Sequence, residues 1–222
     1  MRDNGSIVQK AMRSKNDASR CLPTIAEAQA GFFTAKQAQS AGFSSSSHTY
    51  HVREGNWARE YRGIYRLRSF PAVLRPELAR WHLWSMNRDG RPQGVYNYFT
   101  ALDLYLMPET RPPDMHLDRP PDLHMTVPTS FRRSGETPEG LALHYADLPE
   151  SDIAARTGYR LTTPLRTILD LAAANAISRE ALSKALLQIA ERGLITRGQI
   201  KSARIPEVSR LQLEALLEWK KR

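Results

Sequence analysis

The chain has 222 residues, 41% of them apolar, which is enough to bury a core and excludes disorder throughout. Its 32 Lys and Arg residues outnumber 23 Asp and Glu residues, and the net charge of +9 favours a polyanionic partner such as nucleic acid. The single cysteine, Cys21, excludes an intrachain disulfide and a multi-cysteine zinc site, and no apolar run reaches the length of a membrane span. We therefore expect a cytoplasmic protein with no membrane partner.

The basic residues are concentrated toward the two ends of the chain. Residues 1–75 contain 12 basic and 5 acidic residues, residues 76–150 contain 7 and 11, and residues 151–222 contain 13 and 7. This asymmetry predicts a basic module followed by a middle segment that is unsuited to phosphate. We expect a mobile N-terminal arm at residues 1–21, the basic module at residues 22–72 and a second domain at residues 73–222.

Turn and cap signals predict two short helices at the start of the basic module. Thr24 can cap the first helix, which Gly31 ends. Thr34 and Gln37 have the spacing of a capping box, in which each side chain accepts from the other residue's backbone amide. The second helix is therefore expected to begin at Thr34 and to end at Gly42.

A third helix and a hairpin complete the predicted module. Ser44 or Ser45 can cap the third helix, which reaches Glu54. Residues 57–67 then form two β-prone runs on either side of a turn near Arg62. Three helices followed by a basic hairpin predict a winged helix-turn-helix domain.

Three sequence stretches in this module resemble a known family. The order FFTAKQAQSAGFS, YHVREGNWARE and YRGIYRL is similar to the N-terminal winged-helix domain of AbiEi-type antitoxins. LHMTVP at residues 123–128 and YRLTTPLRTILDLAA at residues 159–173 resemble that family's C-terminal domain, so the resemblance covers residues 22–200. It implies a type IV toxin–antitoxin system, in which the antitoxin represses its own promoter and neutralises a nucleotidyltransferase toxin encoded beside it.

The predicted third helix is the candidate for DNA reading. His48 and Val52 lie one turn apart and should face the core with Phe43, so the opposite face is left for the major groove. Short hydroxyls allow close approach to DNA, and arginine binds guanine or phosphate. We predict double-stranded DNA contact through this face and the hairpin, at Ser45, Ser46, Thr49, Tyr50, Arg53, Arg59, Arg62 and Arg66. The alternative is that these arginines only solvate the surface and the helices form a protein-binding wedge.

Two helices are predicted to follow, over residues 76–86 and 94–107. Their apolar side chains recur at helical spacing, at Leu78, Ala79, Leu83 and Trp84 and at Tyr98, Ala101, Leu102, Tyr105 and Leu106. Aromatic residues in such stripes could stack on nucleotides, but their apolar neighbours favour core packing.

A short internal repeat suggests strands in the second domain. Residues 112–118 and 120–126 share a pattern, and if they pair as a hairpin His116 and His124 lie on one face, with His124 turned outward. Two imidazoles without a defined third ligand favour surface histidines over a metal site. Alternation in residues 141–145 predicts a further strand after a polar loop.

Three helices and a terminal apolar run are predicted beyond this sheet. Thr163, Ser178 and Thr196 can cap the helices, and Arg166 can pair with Asp170 along the first of them. That helix should turn an apolar face to the core through Leu165, Ile168, Leu169 and Ala172. The terminal run has helical spacing at Val208, Leu211, Ala215 and Trp219, which suits either closure of the domain or docking on a partner.

The chain lacks the motifs of common enzyme classes, including a nucleophile elbow, a Walker loop, a zincin pair and a dinucleotide fingerprint. Glu218 and Lys220 imitate part of a nuclease site, but no strand aspartate precedes them. We therefore expect an α+β protein with no catalytic activity, cofactor or metal, whose winged helix precedes a domain with a small antiparallel sheet and several helices. The alternative function is a stand-alone regulator whose second domain binds a ligand or only dimerises.

Overall fold

The structure, a computed structural model, describes residues 21–106 and 123–202. Within these ranges, residues 21–94 and 156–159 form one compact unit, and residues 95–106, 123–155 and 160–202 form a second. The predicted α+β class with several helices is confirmed, but the small antiparallel sheet that was predicted for the second domain is instead a mixed five-stranded sheet. In this described part of the chain, no helix is long and apolar enough to cross a membrane.

The first unit contains a small antiparallel sheet and short helices. In chain order these are α1 (residues 21–28), β1 (Phe32–Thr34), α2 (Ala35–Ser40), α3 (Ser45–Arg53), β2 (Trp57–Tyr61), β3 (Ile64–Leu67) and α4 (Pro76–Trp84). The sheet order is β1–β3–β2. The predicted hairpin is present as β2 and β3, and Gly63 takes a positive φ of 72° in its turn.

Local cap signals determine where α2 and α3 begin. The Thr34 hydroxyl accepts from the Gln37 amide and the Gln37 side chain accepts from the Thr34 amide, which confirms the capping box. Of the two candidate caps for α3, Ser44 is the one used. Thr24 is not a cap, because it lies inside α1. The helix already includes Leu22, which is buried on its apolar face.

A small core cluster joins the helices of the first unit to its sheet. It consists of Leu22, Ala26, Phe33, Ala38, Ala41 and Trp57. The rings of Phe33 and Trp57 meet edge to face with centroids 4.8 Å apart, a favoured aromatic geometry. The predicted core residues of α4 are all buried, although that helix ends at Trp84 rather than Met86.

The second unit is built on a five-stranded sheet. Its elements are β4 (Val95–Tyr96), α5 (Tyr98–Leu106), β5 (Leu123–Val127), β6 (Leu141–Tyr145), a 3-10 turn (Glu150–Asp152), β7 (Ile153–Arg156), β8 (Tyr159–Thr162), α6 (Pro164–Ala173), α7 (Arg179–Glu191) and α8 (Arg197–Ser202). The strand order is β6–β5–β4–β8–β7, and α5, α6 and α7 pack on one another. β4 and β5 are antiparallel, whereas the β5–β6 and β4–β8 pairs are parallel and were not predicted.

Several predicted elements of the second unit are confirmed. Strands occupy residues 123–127 and 141–145, Ser178 caps α7, and the Thr196 hydroxyl accepts from the Gln199 amide at the start of α8. The Arg166–Asp170 pair forms at 2.7 Å, and Arg166 also binds Asp152 at 2.9 Å. The terminal run from Val208 lies outside the described residues.

The helix predicted over residues 94–107 is wrong in its first turn. Val95 and Tyr96 form strand β4, and α5 begins only at Tyr98. The backbone changes direction here because Asn97 is buried and its side-chain amide donates to the Thr126 hydroxyl at 2.6 Å. Tyr98 has a φ of 46° and is half-buried, so it is not a core residue as predicted.

The buried face of α6 also differs from the prediction. Ile168 is buried as expected, but its buried neighbours are Thr167 and Leu171. The residues predicted beside it are only half-buried: Leu165, Leu169 and Ala172. The Thr167 hydroxyl can occupy a buried position because it bonds the Thr162 hydroxyl at 2.7 Å and the Thr163 carbonyl at 3.0 Å.

Candidate nucleic-acid interface

The predicted reading face of α3 is open to solvent along its whole length. Its five predicted side chains are exposed: Ser45, Ser46, Thr49, Tyr50 and Arg53. On the opposite face His48 is 5% exposed, and Val52 packs half-buried against the core cluster with Phe43. The division into an inner and an outer face is therefore as predicted.

The first turn of α3 is held by a chain of side-chain hydrogen bonds. The Ser44 hydroxyl accepts from the Ser47 amide at 3.3 Å and bonds the Ser46 hydroxyl at 2.9 Å. Gln39 of α2 donates its side-chain amide to the Ser45 hydroxyl at 2.9 Å. The hydroxyls at this helix start are consequently positioned by both helices, with short side chains that allow a phosphate or base edge to come close.

Tyr50 and Arg53 form the C-terminal half of the reading face. Tyr50 is 51% exposed, and the Arg53 guanidinium carbon lies 5.7 Å from the centre of its ring. Arg53 also donates from Nε to the Glu54 carboxylate at 3.2 Å. The Arg53 side chain is 74% exposed and that of Glu54 is 43% exposed, so the pair contributes little and the guanidinium is accessible to a phosphate or guanine.

A pair of stacked aromatic rings that was not predicted from the sequence supports the end of α3. His51 stacks on Trp57 with centroids 4.6 Å apart and an interplanar angle of 18°. Its Nδ1 atom lies 3.3 Å from the Asn56 side-chain amide. These contacts tie the last turn of α3 to the start of β2, so the helix and the hairpin hold a defined orientation within the unit. No spacing rule signals the stack, because His51 and Trp57 belong to different elements.

The three predicted hairpin arginines lie in two different environments. Arg59 and Arg62 are exposed. Arg66 is half-buried and donates from Nε to Glu60 at 3.1 Å, and the same carboxylate group lies 3.8 Å from the guanidinium of Arg80. The structure thus presents Arg59 and Arg62 at the surface but engages Arg66 in an internal ion pair.

The histidines of the second unit form a pair that differs from the predicted one. His116 lies outside the described residues, and His124 of β5 places Nδ1 2.9 Å from Nε2 of His144 on β6. His124 is half-buried rather than turned outward as predicted, because the ring of Phe99 covers it at 5.5 Å in addition to His144. Among the described residues, no three His, Cys, Asp or Glu side chains are grouped closely enough to hold a metal ion.

Comparison with known proteins relates the first unit to a regulator family. Residues 22–68 match the model of a family described as transcriptional regulator, AbiEi antitoxin. This match confirms the predicted resemblance over that range, which includes α2, α3 and the hairpin. All eight residues predicted to contact DNA lie within it. Beyond residue 68 the resemblance stays a prediction.

Two further comparisons used the whole chain. No curated protein matches it. The chain is similar to the crystal structure of the RV2827C protein from Mycobacterium tuberculosis, with 15% sequence identity and a TM-score of 0.47. The similarity covers 91% of this chain and 71% of that chain.

Proposed function

We propose that this chain is the DNA-binding antitoxin of a toxin–antitoxin system, which represses its own promoter and neutralises a nucleotidyltransferase toxin. One observation supports the proposed DNA binding above all others. Within the range that matches a family of transcriptional regulators, α3 exposes its hydroxyl-, tyrosine- and arginine-bearing face beside a hairpin with two exposed arginines. The opposite face of α3 is packed on the core, so only the polar face is available to a partner.

In the proposed complex the first unit acts as a winged helix-turn-helix. α3 is the recognition helix and places its N-terminal half in the major groove, where Ser45, Ser46 and Thr49 approach the bases and backbone. Tyr50 and Arg53 follow along the same face. The β2–β3 hairpin is the wing, and its Arg59 and Arg62 bind phosphate groups beside the groove.

Toxin neutralisation is assigned to residues 73–222. The net negative charge of residues 76–150 suits contact with a protein rather than with phosphate. We assign no catalytic activity to the chain, and we place its action in the cytoplasm, where promoter and toxin are present together.

The experiment uses full-length protein with its DNA face disabled. A variant with Thr49→Ala, Arg53→Ala, Arg59→Ala and Arg62→Ala changes only exposed side chains, so the fold should be kept. It should lose repression of a reporter placed behind the chain's own promoter, yet still rescue cells that express the neighbouring nucleotidyltransferase. Wild-type protein and a variant with the same number of exposed alanine substitutions outside the first unit serve as controls.

Two outcomes would argue against this function. Full repression by the variant with all four substitutions would show that α3 and the hairpin are not in the DNA interface. Failure of the wild-type protein to rescue cells from any adjacent toxin, with repression intact, would favour a stand-alone regulator whose second domain binds a ligand or only dimerises.

A further inference from the structure

The connection between α4 and β4 is a closed, hydrogen-bonded loop that carries two arginines. The Asn87 side-chain oxygen accepts from the backbone amides of Asp89 at 3.0 Å and Arg91 at 2.9 Å. The Asn87 backbone amide donates to the Arg91 carbonyl at 3.0 Å, and Gly90 takes a φ of 78° in the turn. The loop is thus held in one shape, with the side chains of Arg88 and Arg91 exposed.

This loop is attached to the start of α2. Lys36, in the first turn of α2, donates from Nζ to the Arg88 carbonyl. The preceding residue, Ala35, donates its amide to the Gly63 carbonyl in the hairpin turn at 2.8 Å. The beginning of α2 therefore lies between the hairpin turn and the loop, and it brings together four basic residues from three separate segments. We name these four residues the basic strip: Lys36, Arg62, Arg88 and Arg91.

The charges of the basic strip have few counterparts. All four side chains are exposed, and within the described residues none of them makes an ion pair. Asp89 stands between Arg88 and Arg91 in the sequence, and its carboxylate lies 3.5 Å from the Asn87 side-chain amide. Other arginines of the same unit do have acidic partners, as Arg66 has Glu60 and Arg75 has Glu77. A cluster of uncompensated cations on a backbone held by hydrogen bonds suits a polyanion.

The basic strip continues directly into the reading face. Gln39 lies three residues after Lys36 on the exposed side of α2 and donates to Ser45 at the start of α3. The strip and the reading face are consequently neighbours, joined by one helical turn of α2.

We infer that Lys36, Arg88 and Arg91 bind phosphate groups of the DNA that α3 and the hairpin contact, so the interface extends beyond the winged helix into the α4–β4 loop. This inference rests on the proposed function. Arg88 and Arg91 belong to residues 76–150, whose net negative charge predicted a segment unsuited to phosphate. The inference departs from that prediction at this loop, because the loop folds against the basic module. Flexible arginine side chains aimed at phosphate carry no sequence information, so the contribution should be the same on every DNA sequence.

The test measures the salt dependence of binding to a random-sequence DNA duplex. The full-length variant with Arg88→Gln and Arg91→Gln should flatten the slope of log affinity against log salt by about two units. At 0.1 M salt its binding should weaken by roughly 60-fold, because the DNA keeps about 0.9 of a counterion for each of the two phosphate contacts that are lost. The charge-conserving variant with Arg88→Lys and Arg91→Lys should keep most of the wild-type slope.

A matched control removes the same charge elsewhere. Arg179 and Lys201 are exposed residues of α7 and α8, and the variant with Arg179→Gln and Lys201→Gln should leave the slope unchanged. A slope for the Arg88→Gln, Arg91→Gln variant equal to that of wild type overturns the inference and leaves the proposed function standing. An equal loss in the control variant also overturns it, since net charge alone would then explain the effect. Absence of salt-dependent binding by the wild-type protein contradicts the proposed function itself, and the inference with it.

Discussion

Arg66 donates from Nε to Glu60 Oε1 at 3.1 Å, and this contact separates it from the other two arginines of the hairpin. Arg59 and Arg62 are exposed, whereas both partners of the Arg66–Glu60 pair are more than two-thirds buried. The hairpin therefore exposes two of the three arginines that were predicted to contact DNA.

The first prediction follows from this difference. Arg59→Gln or Arg62→Gln should flatten the salt slope of duplex binding by about one unit each, because each removes one phosphate contact. Arg66→Gln should leave the slope unchanged and lower the melting temperature, since Glu60 then lacks its closest cation. Isothermal titration or fluorescence anisotropy over a salt series, with thermal melts, distinguishes the two classes. A slope for Arg66→Gln as flat as that for Arg59→Gln would show that Arg66 leaves Glu60 on binding DNA.

A second prediction concerns the recognition helix. Thr49→Ala and Arg53→Ala should weaken binding to the promoter duplex by about 1–3 kcal/mol each while changing binding to random duplex much less. The reason is that groove contacts distinguish bases, whereas hairpin contacts do not. Competition between the two duplexes measures the ratio directly. Equal losses on both duplexes would mean that α3 contacts only the backbone.

A third prediction tests the fold with two glycines that differ in their surroundings. Gly31 has a φ of 87°, and a Cβ atom there would lie 2.6 Å from the Phe70 ring. Gly55 has a φ of 74°, but no atom lies within 4 Å of its Cβ position. Gly55→Ala should therefore cost about 1–2 kcal/mol for the backbone conformation alone, and Gly31→Ala about 2–5 kcal/mol because the ring must also move. Denaturant unfolding measures both, and equal costs would show that Phe70 is not held against Gly31.

A fourth prediction is a pH dependence in the second unit. Burial lowers the pKa of His144 below its ordinary value of 6.5. The unfolded chain therefore takes up a proton just below pH 6.5 that the folded chain does not, and the free energy of unfolding should fall as pH drops through this window. Well above pH 6.5 His144 is neutral in both the folded and the unfolded chain, so this loss of stability is absent there. The facing nitrogens of His124 and His144 reinforce the effect, because a hydrogen bond between them needs one unprotonated acceptor.

His144→Gln provides the comparison for this effect. Its unfolding free energy should depend less on pH below 6.5 than that of wild type. Two-dimensional NMR of the imidazole nitrogens gives an independent readout, with His144 titrating below its ordinary value. A His144 that titrates at or above 6.5 would contradict the burial argument.

The elements that were predicted well are those specified by short sequence signals. Thr34 with Gln37, Ser44 and Ser178 each bond a backbone amide three residues away, so the sequence alone contains both partners. The reading face of α3 was found for a similar reason, because helical periodicity separates His48 and Val52 from the exposed side.

The features that were missed depend on partners far apart in the sequence. Val95 and Tyr96 are too short a run to signal a strand, and they become one because Thr126, Met125 and Leu161 pair with them. The basic strip likewise exists only because Lys36 reaches the Arg88 carbonyl, 52 residues away. Net charge over a long segment cannot reveal such an arrangement, since it averages residues that fold to different places.

Sequence-specific DNA binding is tested most directly by the affinity of the full-length chain for its own promoter duplex and for a random duplex of equal length, measured over a salt series. Affinity for both duplexes should fall with salt with a slope of about two units or steeper, reflecting at least Arg59 and Arg62. Binding to the promoter should be at least about 10³-fold tighter at physiological salt. Affinities that are equal on the two duplexes, or that do not change with salt, would contradict the proposed function.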